Sequence, residues 1–302
     1  MGRQSLKNVL LIGSSGQLAP HLIRELSASP HLALTVLSRS TPSSRSRNAK
    51  FITLPSPYKY EDLASCLKGK DAVVNLIPSG QFEITVIDLC IREGVKRYIP
   101  PEFGARTDND MVVEKVPIVA MKKRVKDLLQ SKEREGISWT GVVCGAFLDS
   151  GIKNGFLGFD IKNKQARLYD QGEHNMDVTL LSDVGKAVAS ILSDHPTETK
   201  NQYVYINTFL TSQNSVLKPL EKESGKFEIS HAGAKEANEE GTARIKKGDF
   251  GGVKDSLMGR MASGKDGING EGKHNELLLG RGTRGLEDLD GVVGDITRSS
   301  WQ

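Results

Sequence analysis

Residues 7–19 read Lys7-Asn8-Val9-Leu10-Leu11-Ile12-Gly13-Ser14-Ser15-Gly16-Gln17-Leu18-Ala19. The first six form a short, nearly continuous apolar run closed by a glycine, the pattern of a parallel strand buried on both faces. Small residues then recur at fixed offsets. Gly13 permits a tight turn out of the strand, Gly16 lets a pyrophosphate approach the backbone, and Ala19 lets the next helix pack close to the sheet. Residues 16–29 carry Leu18, Leu22, Ile23 and Leu26 at helical spacing. A helix opening at this turn offers free N–H groups and a partial positive charge to phosphates. A glycine trio alone has little specificity; between a strand and a helix it predicts a dinucleotide-binding βαβ unit.

Outward from this unit the pattern repeats. Strands are expected at 33–37, 50–54, 71–77, 96–100 and 138–144, with helices at 61–67 and 81–93. A long helix should run from Pro117, a favoured first-turn residue, to Gly136. This alternation predicts an α/β fold, a Rossmann-type doubly wound parallel sheet. Right-handed crossovers gather Gly13, Arg39, residues 77–80 and residues 100–104 at one sheet edge, where open α/β sheets bind ligands. Further on, a strand is expected at 166–169, a helix at 182–193 capped by Ser182, a strand at 203–206 and a helix at 211–223. Residues 225–302 hold 16 of the 31 glycines, which predicts loops and short helices. The expected division is a Rossmann domain over 1–150, rejoined by segments near 178–206, and a smaller substrate-binding lobe over 151–302.

Composition removes several classes. No stretch approaches the roughly 20 apolar residues of a membrane span, and the apolar run at 9–12 is too short for a signal-peptide core. A soluble, cytoplasmic protein is expected. The net charge of +4 is mild, with bases mixed among acids and few aromatics, unlike a nucleic-acid surface. Cys66, Cys90 and Cys144 are odd in number and widely spaced, which predicts buried free thiols and no metal site. The expected partner is a small molecule rather than a nucleic acid or membrane, and the chain is expected to act as a monomer or homodimer.

After the second strand, Val36-Leu37-Ser38 leads into Arg39, and no acid occurs through Lys50, whereas Arg45 and Arg47 do. An acid there would bind a ribose 2′-hydroxyl; a guanidinium suits a 2′-phosphate, so NADPH is favoured over NADH. The usual Tyr-x-x-x-Lys pair is missing. Four residues after the six tyrosines stand Asp62, Ala64, Glu102, Glu173, Asn207 and Phe209. In the helix from Pro117, Lys122 lies beside the stripe Ile118, Met121, Val125, Leu128 and Leu129. Such a lysine either serves as a proton donor or covers apolar surface with its stem while its head reaches water. Gly259-Arg-Met-Ala-Ser-Gly264-Lys265 matches P-loop spacing, but Asp266 replaces the Ser/Thr and no apolar strand precedes it, so it reads as coincidence.

Together GSSGQLA at 13–19, Arg39, RYIPPEFG at 97–104, MKKRVKDLL at 121–129 and CGAFLDSG at 144–151 resemble the isoflavone reductase-like branch of the atypical short-chain dehydrogenases, within the NmrA-like superfamily. The order and spacing match over about residues 5–225, and the layout resembles fungal members. The resemblance implies an NADPH-dependent reductase acting on a conjugated, benzylic or carbonyl carbon of a small aromatic or secondary-metabolite molecule. It implies Lys122 as the catalytic residue. It implies a cofactor site of Gly13, Ser14, Ser15, Gly16, Gln17, Leu18, Arg39, Ile77, Pro78, Ser79, Pro101, Phe103, Lys122 and Phe147. Pro101 stands where the family has a loop serine. Gly145 and Ala146 replace larger residues, which should widen the wall beside Phe147, and Leu54 replaces an acid often found beside adenine. The alternative is a dinucleotide-binding sensor without turnover, whose members generally lack the helix lysine. An epimerase or dehydratase on a nucleotide sugar would need the missing Tyr-x-x-x-Lys.

Overall fold

The computed structural model describes residues 6–40, 46–78, 80–115, 117–264 and 269–300. Seven parallel strands form the main sheet: β1 Asn8–Ile12, β2 Ala33–Ser38, β3 Ala49–Thr53, β4 Ala72–Asn75, β5 Arg97–Ile99, β6 Ser138–Val143 and β7 Gln202–Tyr205. Their order is β7-β6-β5-β4-β1-β2-β3, with β1 central between β2 and β4. The apolar run of β1 is explained by its two faces. Val9 and Leu11 enter one core with Leu22, Leu26, Val184 and Val188. Leu10 and Ile12 enter the other with Leu63, Val86, Val125 and Leu129. Helices Ala19–Ala28 and Leu181–Ser193 cover the first face; Tyr60–Leu67, Gly80–Arg92 and Pro117–Ser131 cover the second. Each such aliphatic side chain contributes about 1.5–3 kcal/mol by leaving water.

A buried arginine joins β5 to β6 and to the turn that precedes β7. Arg97 is fully buried and donates to Ser138 Oγ and Thr140 Oγ1, each at 2.9 Å, and to the carbonyl of Pro196. Burial among these neutral oxygens pulls its guanidinium down to about 10.

A further core lies beyond the sheet edge, built from residues between Val112 and Ile296. It includes two three-stranded sheets. One joins Ala146–Phe147, Met176–Thr179 and Phe209–Thr211; the other joins Phe159–Asp160, Gln165–Tyr169 and Glu228–Ala232.

Three local expectations are corrected. Ser182 does not cap its helix; it sits inside the first turn, and Leu180 is the N-cap residue without a side-chain bond. The long helix stops at Ser131, and a 3-10 turn at Glu133–Glu135 leads to Gly136 at φ +94°. The glycine-rich segment is substantially helical, with helices at Ala234–Lys246, Gly252–Ala262 and Leu289–Ser299. Several of its glycines are contact points between helices rather than turns. A Cβ on Gly241 would lie 2.4 Å from the Ser256 nitrogen, and one on Gly259 would lie 2.4 Å from the Ala234 carbonyl. The P-loop-like spacing dissolves for the same reason, since Gly259 is interior to a helix; Lys265 and Asp266 lie outside the described residues, as does Arg45.

All three cysteines are free and buried. Among the described residues no helix is long and apolar enough to cross a membrane, and no cluster of His, Cys, Asp and Glu could hold a metal.

Candidate functional site

The C-terminal ends of β1, β2, β4 and β5 open onto a cavity of about 880 Å³. Its floor is the turn after β1. Gly13 adopts φ +96°, and a Cβ there would press on Ile77 at 3.2 Å. Its N–H is held by the Leu37 carbonyl at 2.9 Å, tying the turn to β2. Gly16 faces open space. The backbone N–H groups of Ser14, Ser15, Gly16, Gln17 and Leu18 find no acceptor among the described residues. These unspent donors stand at the N-terminus of the Ala19–Ala28 helix, a suitable cradle for phosphate oxygens. Gln17 also accepts a hydrogen bond from Ser150, linking the turn to the further core.

At one end stand Arg39 and Tyr58. Arg39 is exposed. The Tyr58 ring packs on Phe82 at 5.7 Å, and burial pushes its hydroxyl up against the opposing charge of Arg39. At the other end Pro101, Phe103, Gly104, Ala105 and Thr107 follow β5. The carbonyl of Gly104 accepts from the nitrogens of Cys144 and Gly145, both at 3.1 Å, which fixes this loop to the end of β6.

Lys122 projects from the Pro117–Ser131 helix into the cavity wall, half-buried, and its Nζ donates to the Glu102 carbonyl at 2.8 Å. On the same helix Val125 and Leu129 are buried in the core. Met121 is corrected from the inward stripe: it is 46% exposed and lies at the cavity. The side chain of Ile118 lies outside the described ones.

Glu102 is almost fully buried. Its Oε2 accepts from Thr107 Oγ1 at 2.6 Å, and Tyr203 of β7 lies 2.7 Å from that same hydroxyl. Burial pushes the Glu102 carboxyl up, opposed by the charge of Lys122 and the bond from Thr107. Cys144 is also buried near Lys122; burial pushes its thiol up to about 12, which leaves it inert as a nucleophile.

Gly13, Ser14, Ser15, Gly16, Gln17, Leu18, Arg39, Ile77, Pro78, Pro101, Phe103, Lys122 and Phe147 all line this one cavity. Ser79 lies outside the described residues. Gly145 and Ala146 do not widen the wall beside Phe147, because neither faces the cavity. A Cβ on Gly145 would fall 2.1 Å from the Asp177 carbonyl, and Ala146 is buried in the further core. Leu54 does not line the cavity either.

Several contributors escape a reading of the sequence. Phe250, Val253 and Leu257 reach the cavity from the glycine-rich segment, with Phe250 69% exposed at its mouth. Tyr58, Val119 and Thr107 also line it. Tyr203 reads as one apolar residue of a strand. Its signal is Gly141, an isolated glycine inside β6, which marks a close approach; a Cβ there would sit 2.5 Å from the Tyr203 ring.

A family model described as the NmrA-like family matches residues 5–232. Oxidoreductase aprR of Aspergillus flavus is 30% identical over 301 residues, covering 96% of this chain and 98% of that one. The crystal structure of an isoflavone reductase superposes with a TM-score of 0.74 at 17% identity, over 96% of this chain and 99% of that one. AtPrR2, solved with NADP+ and (+)pinoresinol, gives 0.73 at 17% identity, over 98% of this chain and 100% of that one. The match of the family model over most of the chain agrees with the motifs at 13–19, 97–104 and 121–129: this protein belongs to the NmrA-like family.

Proposed function

We propose that the protein is an NADPH-dependent reductase of a small molecule with a conjugated, benzylic or carbonyl carbon. The observation that carries this reading is the continuity of the cavity, which runs from the open donors of residues 14–18 and Arg39 to the amine of Lys122. The donor set fits a dinucleotide: free backbone N–H groups for a pyrophosphate, and a guanidinium at the strand end for a 2′-phosphate. Residues 1–150 would carry most of the cofactor contacts, and residues 151–302 the substrate side.

Bound there, NADPH would supply a hydride to an electron-poor carbon. The chain's own residues do the rest. The turn at 13–18 orients the phosphates, and Arg39 selects for the extra one. Lys122 Nζ, already held at the Glu102 carbonyl, donates the balancing proton to the substrate. Phe103, Val119, Phe147, Phe250, Val253 and Leu257 supply an apolar wall that suits an aromatic substrate and excludes water. The names of the relatives are consistent with this reading, since one is an oxidoreductase and one was solved with NADP+.

The test is a binding titration with NADPH and NADH, followed by an NADPH-oxidation screen over enones, quinones and aryl ketones. Tight NADPH binding with turnover of one class supports the reductase. Tight binding with silence across the panel replaces it by the sensor reading, and no NADPH binding overturns both.

A further inference from the structure

Tyr203 lies in β7, outside the cavity wall, yet a file of two hydrogen bonds to the Glu102 side chain and one at its carbonyl, joined through the covalent frame of Glu102, leads from it to the amine of Lys122. The phenol is 2.7 Å from Thr107 Oγ1, that hydroxyl is 2.6 Å from Glu102 Oε2, and the carbonyl of the same Glu102 is 2.8 Å from Lys122 Nζ. We propose that Tyr203 is a positioning residue for Lys122, acting through Thr107 and Glu102. The inference rests on the reading of Lys122 as the proton donor.

Proton counting gives the file a direction. Thr107 has one hydroxyl proton. With Glu102 ionised, that proton goes to the carboxylate, and Tyr203 must donate to Thr107. Neither end is free to drift. The Tyr203 ring stands edge-on to Trp139 with centroids 5.3 Å apart, beside the space that Gly141 leaves. Glu102, Thr107 and Tyr203 are 1%, 1% and 9% exposed, so water cannot readily replace a lost partner. The Gly104 bonds to Cys144 and Gly145 hold the loop at β6. The Thr107 and Tyr203 contacts hold its other side at β7. Glu102 lies within this clamp, and its carbonyl is the surface on which the lysine rests.

A purely structural role for Tyr203 would leave the lysine amine unchanged in a folded variant. The experiment therefore reads that amine directly in the full-length protein, by reductive methylation with labelled formaldehyde and peptide mass spectrometry. The exposed Lys235 serves as internal reference. Tyr203→Phe and Thr107→Val each remove a hydroxyl while keeping the shape. Each is expected to raise Lys122 labelling relative to Lys235 about fivefold, the worth of one ordinary hydrogen bond. The double variant should rise no further than either single one, because both break the same file. Thr107→Ser keeps a hydroxyl and should label within about twofold of the parent. Unchanged labelling in folded Tyr203→Phe and Thr107→Val overturns the proposal, as does an equal rise in Thr107→Ser. A second arm follows NADPH oxidation with trans-chalcone as probe, where Tyr203→Phe should lower kcat and leave KM for NADPH unchanged. Full turnover in Lys122→Met overturns the reading of Lys122 as proton donor, an outcome distinct from a failure of the labelling arm.

Discussion

Gly141→Ala tests how tightly β6 and β7 are matched. The two residues are register partners, Gly141 opposite Tyr203. An added Cβ would lie 2.5 Å from ring Cδ1 and 2.6 Å from ring Cε1, about 0.9 Å inside ordinary contact at 3.4 Å. The ring has no easy retreat, with Trp139 edge-on to it and Thr107 on its hydroxyl. Overpacking of this kind costs about 1–3 kcal/mol. Replacing a strand glycine returns about 0.5–1 kcal/mol of backbone entropy, so the net loss should lie between about 0 and 2.5 kcal/mol. In a Tyr203→Val background the methyl has room, and the same substitution should be neutral or slightly stabilising. Urea unfolding of the four proteins, followed by circular dichroism, gives a double-mutant cycle with an expected coupling of about 1–3 kcal/mol. Equal cost of Gly141→Ala in both backgrounds would refute the argument.

Arg39→Ala should weaken NADPH binding about tenfold and NADH binding less than twofold, read by cofactor fluorescence titration; equal losses would remove Arg39 from the 2′-phosphate site. Lys122→Met should abolish turnover while NADPH affinity stays within about threefold of the parent, the cofactor phosphates being held elsewhere. Gly241→Ala sets a methyl against the backbone of the facing helix, 2.4 Å from Ser256 N and 2.5 Å from Gly252 O, and should lower the melting temperature by several degrees. Burial alone would raise the Asp71 carboxyl, but bonds from the Asn8 N–H and Lys96 hold it below its ordinary value of 3.8. Its stabilising effect is therefore present above that value and lost as pH falls through the lower folded one. Asp71→Asn should melt earlier at pH 7 and show a shrinking deficit as the solution is acidified below 3.8.

The sheet was readable because its strands are buried on both faces, so that Val9 to Ile12 could only be apolar. The turn that floors the cavity was readable because a connection between a strand and a helix has local requirements, met by Gly13, Gly16 and Ala19 within seven positions. Lys122 could be placed on its helix by spacing, but not its acceptor, a backbone carbonyl that carries no signature in composition. Glu102 and Thr107 share the loop after β5, and Tyr203 meets them from a strand 96 residues beyond Thr107; each of the two segments reads as ordinary loop or strand on its own. The glycine-rich segment misled for a different reason. Glycine serves both turns and close helix crossings, and only the facing helix distinguishes Gly241 and Gly259 from turn residues.

That crossing separates what holds the segment together from what it presents. The helices Ala234–Lys246 and Gly252–Ala262 meet backbone against backbone at Gly241, Gly252 and Gly259. The side chains of Phe250, Val253 and Leu257 point to the cavity and take no part in those glycine contacts. Substitutions at these three positions can therefore reshape the cavity wall while leaving the glycine contacts of the seam in place. On the proposed reading these three side chains form an exchangeable panel, over which substrate preference can be altered without touching the turn at 13–18 or Arg39.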